Sequence, residues 1–280
     1  MIDSISEQGW TSPETILLEL YGLRVHTVTP VKGGRNNSIL RIDLRVPTSS
    51  PIRCKLNNPG TSPIPRGTTT ICMRIPKPGR SLDDEIRVPN SVALANISRE
   101  ALARSGVSTT VPLCFGWENT AGGSQWILEE WKEGIALDKE EFSRLERCQR
   151  DDLMSGIAAV VKALQDYKLP ESIRYHGGIT YGPTGDLVPS RMPMPCGGPF
   201  HNYAGLIKAM CAWQLRASDR SETLAGWRAG TLRSRLDAFL ESGLDDLLAT
   251  IAEAGVNIVH GDLCKSGYRP RVASEIPSTH

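Results

Sequence analysis

Residues 256–263 read VNIVHGDL: an apolar run, broken only by Asn257, that closes on His260, Gly261 and Asp262. Alone, such a stretch is a strand running into an ordinary Gly-Asp turn, and three residues are too short a motif to carry chemistry. Its weight comes from what lies upstream. Reading outward, SILRIDLRV (38–46) alternates strictly, with Leu40, Ile42, Leu44 and Val46 on one side and Arg41, Asp43 and Arg45 on the other, the pattern of a half-buried strand. The turn VKGGRNN precedes it, with Gly33-Gly34 and Asn36-Asn37 supplying residues that tolerate positive φ.

Further strands are expected at TTTICMRIP, STTVPLCFGWE and SQWILEEW, and a helix at SVALANISREALARSG that Gly106 closes. TSPETILLELYGL is an earlier short helix, with Thr11 or Ser12 as cap, Pro13 in its first turn and Ile16, Leu17 and Leu20 on one face. Five prolines between Pro47 and Pro65 mark residues 47–70 as a loop insertion. After Trp131 the period changes. RDDLMSGIAAVVKALQDYK places Leu153, Ile157, Val160, Val161 and Leu164 at helical spacing, GGITYGPTGDLVPS reads as a hairpin, and three more helical segments follow. A strand-rich part and a helix-rich part therefore meet near residues 129–134, giving an α+β chain of two lobes.

Composition narrows the function classes. With 32 Lys and Arg against 31 Asp and Glu, the net charge of +1 gives no field to attract nucleic acid or an anionic membrane, so any phosphate site is local. The amino terminus carries acids where an export signal needs a basic start, and no apolar run approaches the ~20 residues of a membrane span, so a cytoplasmic protein is expected. The seven cysteines are scattered singly, without metal spacing, and read as reduced, mostly buried thiols.

The order of parts is that of kinase-like phosphotransferases: a glycine turn between strands, a cation on a following strand, a helix glutamate, a hinge, and a His-x-Asp turn. In GGRNNSILRI, ICMRIP, ISREALA, VPLCFGW, WILEEWKEG, GGITYGPTGDLV, GPFHNYAGLI and VNIVHGDL, the chain resembles the aminoglycoside phosphotransferase or choline kinase-like family, in particular its fungal members of unassigned substrate. The resemblance implies a protein-kinase-like two-lobe fold, with a nucleotide-binding N-lobe over 1–131 carrying an αC-type helix and a mostly helical C-lobe over 132–280. It implies ATP and magnesium as cofactors and a small-molecule hydroxyl as acceptor.

On that resemblance Asp262 would accept the acceptor's proton and His260 would hold its loop. Gly33 and Gly34 would admit the nucleotide phosphates, with Asn36 capping them. Arg74 stands where the pattern V-A-I-K has lysine, and its fork remains able to bind phosphate oxygens. Glu100 would pair with Arg74, although on spacing alone it reads equally as a solvated glutamate beside Arg99 and Arg104. The backbone of Glu129, Glu130 and Trp131 would meet the adenine edge, while side chains such as Trp126 and Trp131 are more often core or interface aromatics than ligand stackers.

Two departures bear on activity. The position five residues after the loop's Asp, where the family has a magnesium-binding Asn, is Gly267, which offers no side-chain oxygen. SGYRPRVASEIPSTH then shows neither strand alternation nor helical period nor a further acidic pair. The expectation is of a C-terminal truncation after Ser266 with an incomplete magnesium site and impaired transfer, or a non-catalytic pseudokinase that binds a nucleotide or a partner.

Overall fold

The computed structural model describes residues 11–32, 36–77, 82–108, 111–120, 123–134, 139–250 and 255–259. Helix α1 (Pro13–Tyr21) starts where Ser12 Oγ accepts from Thr15 N at 3.2 Å, and ends at Gly22 with φ 69°, a left-handed turn that glycine adopts without a Cβ penalty. Five strands follow: β1 (Val25–Val31), β2 (Asn37–Leu44), β3 (Thr70–Pro76), β4 (Cys114–Asn119) and β5 (Gln125–Glu130). They form one antiparallel sheet in the order β1-β2-β3-β5-β4, with helix α2 (Arg87–Arg104) inserted between β3 and β4.

Alternation along these strands builds two unlike faces. Leu40, Ile42 and Leu44 of β2, Ile71 and Met73 of β3, and Trp126 and Leu128 of β5 join Ile16, Leu17 and Tyr21 of α1 in one core. The 47–70 insertion, read from sequence as a loop, is built into that core: Ile64 is fully buried, Cys54 nearly so, and Ile52 bridges Ile64. Prolines break the strand pattern, but the apolar residues between them still find the core. On the opposite face α2 lays Val88 and Val92 against Cys114 and Ile127.

The second part begins with α3 (Lys139–Arg144) and α4 (Arg147–Asp166), the latter opened by a capping box between Glu146 and Gln149. A hairpin of β6 (Gly178–Tyr181) and β7 (Leu187–Ser190) follows, then α5 (Tyr203–Asp219), α6 (Leu232–Ala238) and α7 (Leu244–Ala249), with a π-turn at Phe239–Gly243 joining the last two. Ala93, Ile97 and Ala101 of α2 share a second apolar core with Leu164, Tyr167, Ile173, Ile179 and Ile258. One helix thus serves both halves: its first turns pack on the sheet and its later turns on α4 and the hairpin. Among the described residues no helix is long and apolar enough to cross a membrane.

Candidate functional site

In an antiparallel ladder, residues directly opposite one another share a face. The register sets Ile39 against Arg74, Arg41 against Cys72, Cys72 against Glu129 and Cys114 against Glu129. These residues therefore line the α2 side of the sheet, opposite the large core. Across its middle runs a polar band, Arg41, Cys72, Arg74 and Glu129, and α2 packs on the same face at Cys114 and Ile127.

The band is organised around an ion pair. Arg74 Nε lies 2.9 Å from Glu129 Oε1, with 28% of the Arg74 side chain and 13% of the Glu129 side chain accessible. The contact is charge against charge, because the enclosed Nε–H is not aligned on an acceptor. Burial raises the Glu129 pKa, and the Arg74 charge, with a hydrogen bond from the Cys72 thiol, pulls it partly back. Cys114, on the other flank, is held protonated with its pKa pushed up to about 12, by burial first and then by the Glu129 charge.

This pairing corrects the sequence expectation. Glu100 does not meet Arg74; it forms an ion pair with Arg104 one helical turn on and hydrogen-bonds the Tyr167 hydroxyl, with 47% of its side chain exposed. The helix turns its apolar residues, Val88 and Val92, toward the sheet and leaves Glu100 on the far side. The reading of Glu100 as a solvated helix glutamate beside Arg104 describes the structure.

The remaining hinge residues divide their tasks. Glu130 Oε2 accepts from Leu113 N at 3.3 Å and pairs with Lys132 Nζ at 2.7 Å, so its side chain fastens β5 to the segment before β4. Trp131 donates from Nε1 to Glu133 Oε1 at 2.8 Å, and the Arg41 guanidinium stands 5.3 Å from its ring centroid. Arg41 is in turn set by Asp43, 3.1 Å from Nε, and the Asp43 carboxylate also accepts from Thr70 and Thr27; against a desolvation that raises it, the bonds from Thr70, Arg41 and Thr27 and the Arg41 charge hold it below the usual carboxylate range. Arg41 was not among the residues singled out from sequence. The clue was its place on the polar side of an alternating strand, which the register sets directly opposite Cys72.

Asn36 closes the β1–β2 turn, and its carbonyl accepts from Lys77 N at 3.0 Å, so the turn is tied to the end of the strand that carries Arg74. Gly33 and Gly34 lie outside the described residues, as do His260 and Asp262. The chain leading to His260 is nonetheless anchored, since Ile258 is 7% exposed in the core that includes Ile97 of α2.

No family model matches the sequence, and no curated protein matches it. Among solved structures the chain is similar to a provisionally assigned fructosamine-3-kinase from Thermobifida fusca, at 17% identity over 90% of this chain and 67% of that one, with a TM-score of 0.40. It is similar to the ternary complex of APH(2″)-IIa with streptomycin and ATP, at 11% identity over 80% of this chain and 55% of that one, with a TM-score of 0.39. It is also similar to a thermostable variant of the aminoglycoside phosphotransferase APH(4)-Ia, in a ternary complex with AMP-PNP and hygromycin B, at 12% identity over 87% of this chain and 62% of that one, with a TM-score of 0.42. The chain spans less than two thirds of the length of the two phosphotransferases.

Proposed function

We propose that this chain has the two-lobe kinase-like architecture, divided near residue 131, and acts as an ATP-dependent phosphotransferase on a small-molecule hydroxyl. One observation carries the reading: Arg74 sits on the α2 side of a β1-β2-β3-β5-β4 antiparallel sheet, at the end tied to the β1–β2 turn. That places a partly accessible fork of positive charge beside the turn whose Gly33, Gly34 and Asn36 would cradle the phosphates. In the same reading the backbone of residues 129–131 receives the base. Asp262, held by His260, accepts the proton of the attacking hydroxyl, as in-line transfer requires.

Magnesium supplies charge neutralisation on the phosphates in such transfers. Among the described residues no group of three or more His, Cys, Asp or Glu could hold a metal, and the Glu129 carboxylate is already neutralised by Arg74. The described residues therefore do not fit a magnesium site, and no step is assigned to one. Gly267 in the H-G-D-x-x-x-x-G run favours a second reading, a pseudokinase that binds nucleotide without turning it over.

The test is calorimetric titration of ATP and ADP into the purified chain with and without magnesium, followed by ADP release in the presence of a panel of small hydroxyl compounds. Binding with turnover supports the phosphotransferase, and binding without turnover supports the second reading. Absence of nucleotide binding would overturn both.

A further inference from the structure

The geometry points to Glu129 as the positioning residue for Arg74: a carboxylate within the sheet, rather than one on the helix, aims the phosphate-binding cation. This rests on the nucleotide-binding reading above. In protein kinases the cation on the third strand is held by a helix glutamate, so that helix position controls activity. Here Glu100 is the sole acidic residue of α2, and it is engaged by Arg104 and Tyr167 on the far side. Glu129 stands one strand over from Arg74, on the same face, with Oε1 2.9 Å from Nε.

Burying a carboxylate is unfavourable unless it is paired and has an orienting task. Glu129 is enclosed between Cys72 on β3 and Cys114 on β4, an otherwise apolar setting where a hydrophobic residue would pack without that cost. The contact leaves part of the Arg74 side chain accessible, so the fork is restrained on one side and presented on the other. The helix itself is fastened independently: Asn90 Nδ2 donates to Ile179 O at 2.8 Å, Asn96 Nδ2 to Gly60 O at 2.8 Å, and Arg99 Nη2 to Pro112 O at 2.6 Å. Arg74 is therefore set before any ligand arrives, and a shift of α2 has no carboxylate through which to release it.

Titration calorimetry of ATP, ADP and adenosine against the full chain and the variants R74M, E129Q, E100Q and R74M/E129Q tests this, with melting curves to establish folding. E129Q and R74M are each expected to weaken ATP and ADP by roughly tenfold or more and to leave adenosine unchanged, because only the phosphates lose a partner. The double variant should bind no more weakly than R74M, since Glu129 acts through Arg74. If E129Q melts below the assay temperature, E129D keeps the charge but shortens its reach, and a several-fold loss confined to ATP and ADP is expected. ATP affinity retained in E129Q but lost in R74M or E100Q overturns the positioning role and leaves the nucleotide site standing. Failure of the unaltered chain to bind ATP overturns both.

Discussion

Asn96 Nδ2 donates to Tyr181 Oη at 2.6 Å, joining the middle of α2 to the end of β6. The same amide reaches Gly60 O, and its oxygen accepts from Arg99 Nη1 at 2.6 Å, so one side chain ties the insertion, the helix and the hairpin together. Replacing Asn96 by Ala leaves several partners unsatisfied in a half-buried setting and should cost about 1–3 kcal/mol, whereas Tyr181→Phe removes one oxygen and should cost about 1 kcal/mol. Urea midpoints at constant m-value measure both. Equal losses from the two variants would contradict the shared role of Asn96.

Gly116 has a steric reason rather than a conformational one. A Cβ there would overlap Tyr21 Oη and approach Cys54 Sγ to 3.1 Å, because the Tyr21 hydroxyl passes over this position to reach Phe115 O at 3.2 Å. Gly116→Ala is expected to destabilise by about 1–3 kcal/mol through overpacking. In a Tyr21→Phe background, where the hydroxyl is gone, the same change should cost less. Thermal melts of the four proteins in that cycle give the coupling, and strict additivity would refute the contact.

The Glu129 carboxyl gives stability a defined pH dependence. Arg74, Cys72 and Cys114 face it, and burial leaves its folded pKa above the ordinary 4.5. The native state then holds the proton longer than the unfolded chain. The favourable contribution is complete below the unfolded value and is lost as pH rises through the folded one. Glu129→Gln has no proton to lose, so its melting temperature should gain on that of the unaltered protein as pH rises through this window. Parallel curves would show that the carboxyl ionises as freely as in water.

Thiol chemistry follows the same burial. Cys114, with its pKa pushed up to about 12, presents almost no thiolate at neutral pH, and Cys54 and Cys72 are buried with it. Iodoacetamide on the native protein should modify the exposed Cys148 and spare these three until denaturant is added. Native labelling of Cys114, read by peptide mass, would contradict its enclosure.

Much of the architecture was legible because period-2 and period-3.6 patterns are local properties. The strict alternation of 38–46 gave β2, and Leu153 with Leu164 marked the buried stripe of α4. Val25–Val31 was missed as a separate strand, since its polar His26, Thr27 and Thr29 and its Pro30 suit an exposed edge better than a core strand. The insertion is the loop its prolines indicate, but Pro and Gly density conceals the few residues, Ile64 above all, that tertiary packing selects. At the site, the position of Arg74 on its strand could be read, but its partner could not. Whether a glutamate one strand over or one on the helix closes the pair depends on how α2 is rotated, and that rotation is fixed by Val88 and Val92 against Ile127.

The rotation of α2 also bears on Ile258, which packs with Ala93, Ile97 and Ala101 of that helix and with Leu164 of α4, two residues before His260. Ile258→Ala should cost about 2–4 kcal/mol, the transfer energy of the lost atoms plus the cavity they leave, while Ile258→Val should cost about 0.5–1.5 kcal/mol. Val259 is 76% exposed, so Val259→Ala should be nearly silent. Denaturant unfolding of the three variants separates the cases. If the proposed role of the His260–Asp262 turn holds, the Ile258 variants should also lose turnover under conditions where they remain folded, because the segment that delivers the turn is no longer held against α2. A Val259 variant as damaging as Ile258→Ala would place the wrong residue in the core.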